Sequence, residues 1–179
     1  ESDFAENHPN KVKLYNGGNF DTSKYIKLFT NDKAGAAGRA TWFLADRSVI
    51  TTNREYIDEW QVVVSSAHPG GQQKRDNQIG IMDNHSAFGR SRLALKSFKT
   101  LKEAENFLEY ANSILVRFTF LMTDESISSL AKKSPDILDY TESNRFIDFT
   151  KNIDKQLYSL IRLSDEEIKY IETMVKNSR

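Results

Sequence analysis

Apolar residues follow two rhythms along this 179-residue chain, and the change falls near residue 99. Before it they alternate or come in short runs: Lys11-Val12-Lys13-Leu14-Tyr15, Tyr25-Ile26-Lys27-Leu28-Phe29, Thr41-Trp42-Phe43-Leu44, Gln61-Val62-Val63-Val64-Ser65 and Ile79-Gly80-Ile81-Met82. A period of two, β-branched and aromatic content, and flanking Gly, Asn and Asp predict strands. Ser48 to Thr52 predicts one more short strand, and Asn16-Gly17-Gly18-Asn19 is a turn sequence that tolerates positive φ. Trp42 and Trp60 are expected in the core, with base stacking as the alternative.

After residue 99 the spacing becomes helical. Thr100-Leu101-Lys102-Glu103 is a capping box, followed by Ala104, Phe107, Leu108, Ala111, Ile114 and Leu115 on one face. Asn112-Ser113 is a point for a kink or split before the apolar run Ile114 to Met122. Thr123-Asp124 predicts the cap of another helix reaching about Lys133, which Pro135 must follow in non-helical geometry. One helix is centred on Ile153, Leu157, Leu160 and Ile161. The last opens on a second box, Ser164-Asp165-Glu166-Glu167, and should bury Ile168, Ile171 and Val175. The expected fold is α+β: a small irregular β-rich part, residues 1–98, packed on a helical part, residues 99–179, as one compact domain.

Composition narrows the class without naming a function. Hydrophobic content of 39% with 28% charged residues fits a folded domain. Zero cysteines exclude disulfides and thiolate metal sites, and three scattered histidines leave little for zinc. The run Ile114 to Met122 is interrupted by Arg117 and is far short of the ~20 residues that cross a bilayer. The chain opens Glu1-Ser2-Asp3, without methionine or secretory leader, which suggests a fragment or processed product of a cytoplasmic protein.

Net charge is zero, but its distribution is uneven. Residues 11–98 hold 13 Lys and Arg against 8 Asp and Glu, whereas residues 99–179 hold 12 against 14. Phosphate contacts depend on local cations, so a basic first part facing a polyanion is physically sensible. The polar loops of that part carry matching chemistry. Gln and Asn pair bidentately with adenine, Arg and Lys with guanine. Gln72, Gln73, Lys74, Arg75, Asn77 and Gln78 lie in one loop, and Asn84, His85, Arg90 and Arg92 in the next. The same composition also suits a bare solvated loop, and Arg90 and Arg92 also suit internal salt bridges. Asn31 to Ala40 is small and flexible, with Lys33 and Arg39 at its flanks; it suits a hairpin loop or a close approach to phosphate.

Catalytic signatures are scarce. There is no Gly-x-Ser-x-Gly elbow, His-Glu-x-x-His, cysteine nucleophile or glycine fingerprint after a strand. Pro135-Asp136 with Glu142-Ser143-Asn144 resembles a nuclease carboxylate motif that lacks its lysine. His68 and His85 with Asn84 fit a histidine-dependent metal nuclease only if rigidly supported. A protein-docking module without DNA contact is a third class.

Two segments carry a family resemblance. The run from Phe98 through Thr100, Glu103-Ala104 and Asn112-Ser113 resembles a segment of the target-recognition domains of adenine-specific DNA methyltransferases. Ile147-Asp148-Phe149-Thr150, then Leu157-Tyr158-Ser159-Leu160, then Leu163 through Glu172 is similar to the close of large single-chain restriction–modification enzymes of the type IIG kind. The family's Asn/Asp-Pro-Pro-aromatic motif and glycine-rich cofactor loop are missing from this sequence. The resemblance therefore implies that this part is not itself an enzyme. Methyl transfer, S-adenosylmethionine and any fused endonuclease would belong to a preceding part of the parent, whose catalytic domain is the implied protein partner. Double-stranded DNA is the implied ligand. The loops from Gln72 to Gln78 and Asn84 to Arg92 would read bases, Lys33, Arg39 and Lys74 would hold phosphates, and no metal or cofactor is implied for this part.

Overall fold

The computed structural model describes residues 3–32, 40–65, 79–89, 92–122 and 136–177. The fold is α+β, with its strands in the first half and its longer helices in the second. A one-turn helix, α1 (Phe4–Asn7), precedes β1 (Val12–Leu14), β2 (Tyr25–Asn31) and β3 (Ala40–Asp46). Then come β4 (Trp60–Ser65), β5 (Gly80–Met82), β6 (Ser86–Phe88) and β7 (Arg92–Phe98). The helices are α2 (Leu101–Ala111), α3 (Ile114–Leu121), α4 (Ile153–Leu160) and α5 (Asp165–Asn177). The helix expected from Thr123 to Lys133 lies outside the described residues.

The strands form two sheets. One has the order β1-β3-β2-β6, antiparallel except for β6, which runs parallel to β2. The other has the order β5-β4-β7 and is antiparallel, with an irregularity between Val62 and Val63. The chain leaves the second sheet at Met82 and enters the first at Ser86, so only Asp83-Asn84-His85 separates β5 from β6.

Each sheet has its own core. Alternation along β2 buries Ile26, Leu28 and Thr30, and the first two pack with Phe43 and Ala45 of β3, Val12, Val49, Ile50, Ile57 and Ala87. In the second core Val62, Val64 and Phe98 pack against Ala104, Phe107, Tyr110 and Ala111 of α2, Val116 of α3 and Ile153 and Leu157 of α4. The rhythm change near residue 99 thus marks a change of element type, while the second core spans it.

Tyr140 is the hub of that second core. Its ring lies 5.0 Å from Phe107, 5.6 Å from Phe98 and 5.8 Å from Tyr110, centroid to centroid. Its hydroxyl donates to Asp136 Oδ1 at 2.6 Å, and Lys96 Nζ donates to the other carboxylate oxygen at 2.5 Å. Burial raises the Asp136 pKa, but the hydrogen bonds from Lys96 and Tyr140 outweigh it and hold the carboxyl below its usual range. The aspartate that resembled a nuclease motif is engaged in anchoring β7 to this aromatic cluster. Burial pushes the Tyr110 hydroxyl up to about 12.

The capping signals form as the sequence predicts. Thr100 and Glu103 make a reciprocal box, and Ser164 and Glu167 exchange bonds of 2.8 and 3.3 Å. The helix divides at Asn112-Ser113, where Ser113 Oγ accepts from the Val116 amide and Asp154 caps the Ile114 amide at 2.7 Å. Other expectations need correction. Ser48 to Thr52 is no strand: Asp46 accepts from the Ser48 amide and starts a 3-10 turn, Arg47–Val49, which buries Val49 and Ile50 without alternation. Ile168 is half-buried, and Leu160 and Ile161 are about half exposed where α4 ends. Trp60 packs on the second core, but Trp42 is half-buried on the face of β3 opposite Phe43.

Asn106 offers a test of this core. It is 2% exposed, and its Nδ2 donates to the Tyr140 carbonyl at 2.7 Å. Asn106→Ala should destabilise the protein by about 1–3 kcal/mol in urea denaturation, because a buried carbonyl loses its donor.

Candidate nucleic-acid interface

The outer face of β2 and β3 carries cations laid over aromatic rings. Phe29 and Trp42 are register partners with centroids 5.0 Å apart. The Arg92 guanidinium lies 5.0 Å from the Phe29 ring centroid and Lys27 Nζ lies 5.6 Å from that of Trp42. Both are within cation–π range, so two positive charges are positioned on flat hydrophobic supports. Lys27 also donates to Asp83.

Asp83 organises the turn between the sheets. One oxygen accepts from Lys27, and the other from the Ser86 hydroxyl at 2.6 Å and the His85 amide at 3.1 Å. Burial raises its pKa, but the bonds from Lys27, Ser86 and His85 prevail and the carboxyl is held below its ordinary range. The His85 carbonyl accepts from the Lys27 amide at 3.0 Å, which fixes Asn84 and His85 beside β2. Behind the turn, buried Gln61 of β4 donates across to the Ser86 carbonyl at 3.3 Å, joining the sheets. A cleft of about 740 Å³ lies between them, lined by Leu28, Ala87 and Phe88 of one and Gln61, Ala94 and Lys96 of the other.

Of the sequence-predicted site residues, Asn84, His85 and Arg92 are described; Lys33, Arg39, Gln72, Gln73, Lys74, Arg75, Asn77, Gln78 and Arg90 lie outside the described residues. The ends from which those loops spring are placed. Asn31 pairs with Ala40 at the base of 33–39, and Ser65 pairs with Arg92 at the exit of β4. The Gly89 amide donates to the Phe29 carbonyl at 2.8 Å, and the Arg92 amide to the Gly89 carbonyl at 3.2 Å. The mounts of three polar segments are thereby linked through Phe29, Gly89 and Arg92. Asn84 and His85 stand by Lys27, two residues along β2 from Phe29.

His85 lines a hollow of about 320 Å³ with Tyr15, Phe20, Thr22, Lys27 and Asp83. Its Nδ1 is buried and has no hydrogen-bond partner among the described residues. Among the described residues no three His, Asp or Glu side chains converge as a metal site, and His68 lies outside them.

Sequence reasoning missed Lys27, Phe29 and Asp83, and preferred the core for Trp42. The alternation in Tyr25-Ile26-Lys27-Leu28-Phe29 placed Lys27 and Phe29 on the face away from Ile26 and Leu28. What it could not supply was the neighbour across the sheet, Trp42. Asp83 was detectable as an aspartate two residues before the His85 amide, a common local side-chain-to-backbone bond. Comparison of the chain with protein-family models, curated proteins and solved structures gives no match.

Two measurements probe this geometry. A methyl group at Gly89 would stand 2.1 Å from Thr30 Oγ1, and Thr30 is buried, so Gly89→Ala should cost about 1–3 kcal/mol of stability in thermal or urea melts. The Asp83 pKa is depressed in the folded protein, so its contribution is present above the unfolded carboxylate pKa of ~3.9 and is lost as pH falls through the lower folded value. The difference in urea midpoint between wild type and Asp83→Asn should therefore be steady near neutrality and shrink below about pH 4.

Proposed function

We propose that this chain reads double-stranded DNA sequence-specifically, as the target-recognition domain of an adenine-specific DNA methyltransferase of the restriction–modification kind. The observation that carries the proposal is the joining of the mounts of 33–39, 66–78 and 90–91 around Phe29 and Arg92, beside cations held over Phe29 and Trp42. Base-edge readout needs bidentate side chains on rigid supports, with cations nearby to set register on the phosphates. Gln72, Gln73, Lys74, Arg75, Asn77, Gln78, Asn84, His85, Arg90 and Arg92 supply the first. Lys33, Arg39 and Lys74, with Lys27 in support, supply the second. The resemblance of residues 98–113 and 147–172 to that family supports the same assignment.

In this mechanism the chain selects a site and performs no bond chemistry. A methyltransferase catalytic domain elsewhere in the parent would bind S-adenosylmethionine and flip the adenine. Helices α2, α3 and α4 serve by packing with β4 and β7 in the second core. A cytoplasmic location goes with this role.

The chain should retain duplex DNA selected from a random-sequence pool. Affinity should fall about 10–100-fold between 50 and 200 mM salt, the response of roughly three phosphate contacts. Replacing Gln72, Gln73, Lys74 and Arg75 by alanine should erase the preference for the selected sequence and leave helical circular dichroism unchanged. Undiminished sequence preference in that variant, or binding indifferent to salt, would remove the basis for the proposal.

A further inference from the structure

The chain holds a single Asn-Gly pair, Asn16-Gly17, in the segment between β1 and β2. The fold itself calls for glycine there. Gly17 and Gly18 stand at φ 92 and 103, a region that residues with a Cβ rarely adopt. On either side the chain is tied down: the Tyr15 amide donates to the Trp42 carbonyl at 3.0 Å, and the Tyr15 hydroxyl donates to the Gly18 carbonyl at 2.8 Å. Between these ties Asn16 and Gly17 are exposed, and among the described residues the Asn16 side chain and the Gly17 amide make no hydrogen bond. A Cβ built at Gly17 would meet no atom within 4 Å, so the space around this residue is open.

That combination suits attack of a backbone nitrogen on the preceding side chain. Once the Gly17 amide gives its proton to hydroxide or water, the nitrogen bonds to Asn16 Cγ and closes a five-membered ring. The Cγ–Nδ2 bond then breaks, and Nδ2 takes up a proton and leaves as ammonia, giving a cyclic imide. Water opens the imide at either carbonyl. At Cγ it restores the ordinary backbone with an aspartate side chain; at the backbone carbon it leaves the chain running through Cγ as isoaspartate. The net change is one water consumed, one ammonia released and one carboxylate gained, with no change of oxidation state. Glycine favours the first step because no Cβ crowds the attacking nitrogen and its backbone reaches conformations closed to other residues.

We propose that Asn16 is a self-modification site, converted to aspartate and isoaspartate through a cyclic imide with the Gly17 nitrogen. Other asparagines are held back by bonds the fold gives them. At Asn112-Ser113, which also has a small following residue, the Ser113 amide donates to the Tyr110 carbonyl at 3.0 Å. The Asn112 side chain donates to the Leu108 carbonyl at 3.0 Å and accepts from Arg117 at 3.1 Å. After Asn84, the His85 amide is held by Asp83. Structure as well as sequence therefore selects Asn16. The new carboxylate arises next to Tyr15, and Tyr15, Gly18 and Asn19 line the same hollow as Lys27 and His85. On the DNA-reading assignment, on which this one consequence rests, it opposes a phosphate backbone approaching Lys27.

The folded 179-residue chain, aged for weeks in mildly alkaline buffer, should show the mass rise of one amide-to-acid exchange in tryptic peptide Leu14–Lys24, placed on residue 16 by fragmentation. Fresh protein digested in parallel should lack it. Conversion should quicken as pH rises, since the attacking nitrogen must lose a proton. Peptide Glu103–Arg117, which contains Asn112, should hold its mass in the folded protein and begin to convert only after unfolding in urea. Asn16→Gln should stop conversion at that position on this timescale, because glutamine must close a larger ring, and should leave the melting temperature unchanged, because the side chain is exposed. The aged form, separated by ion exchange, should bind the selected duplex about 3-fold more weakly than fresh protein at low salt. An unaltered Leu14–Lys24 peptide, or conversion at Asn112 as fast as at Asn16 in the folded chain, would overturn the proposal. Conversion at Asn16 with equal duplex binding by both forms would instead overturn the placement of DNA at this face, a failure distinct from that of the modification.

Discussion

The carboxylate of Asp83 fixes the turn through which the chain passes from the second sheet to the first. It receives Lys27 from β2 on one oxygen and the Ser86 hydroxyl and His85 amide on the other, so a half-buried charge is met by three donors from two elements. Burial alone would favour the protonated form; the donors reverse that preference. The consequence reaches past the turn. Lys27, held at one end by Asp83, stays over Trp42, and the His85 carbonyl closes β2 against β6. Without the carboxylate, a part-buried lysine and a three-residue link between sheets would each lose their constraint.

For the proposed readout a rigid support matters, because contact by polar side chains depends on where their backbones start. A glutamine or arginine that must meet two atoms on a base edge tolerates little displacement, whereas a lysine near a phosphate tolerates much. The first sheet meets this demand with a dry inner face of Ile26, Leu28, Phe43 and Ala45 and an outer face where Arg92 and Lys27 rest on aromatic rings. The second does so by joining β7 to the Tyr140 cluster through Lys96 and Asp136. Arg92 begins β7 and its guanidinium lies over Phe29 of β2, so it touches both sheets at once.

What the sequence disclosed follows the range of the interactions involved. Both capping boxes, the split at Asn112-Ser113 and the strand Val62-Val63-Val64 depend on neighbours within a few residues, and each formed as expected. Ser48 to Thr52 failed because the Asp46 carboxylate offered the Ser48 amide a local alternative to sheet pairing, which β-propensity does not weigh. Trp42 was expected in the core because tryptophan is large and apolar. Its place was set by register with Phe29, a residue thirteen positions away, and by a lysine from the adjacent strand. The grouping of β4, β5 and β7 with the helices was equally hidden, since alternation reveals which face is buried and not what covers it. Three of the expected site residues, Asn84, His85 and Arg92, are described; they fall at the two ends of the Lys27–Phe29 segment.

The division into two cores has a consequence for how the surfaces interact. The proposed reading face rests on the Ile26–Phe43 core, and the loop that exposes Leu138 and Phe146 rests on the Tyr140 cluster. Perturbations at exposed positions that share no partners add independently, so charge changes at Glu142 or Arg145 leave the Lys27 and Arg92 supports unaffected. Coupling between the surfaces must pass through the residues that join the cores. Among the described residues these include Gln61, which bonds to Ser86 across the sheets, the Asp83 turn, and β7, which carries Arg92 near its start and Lys96 within reach of Asp136. Strand β7 is the most direct of these routes.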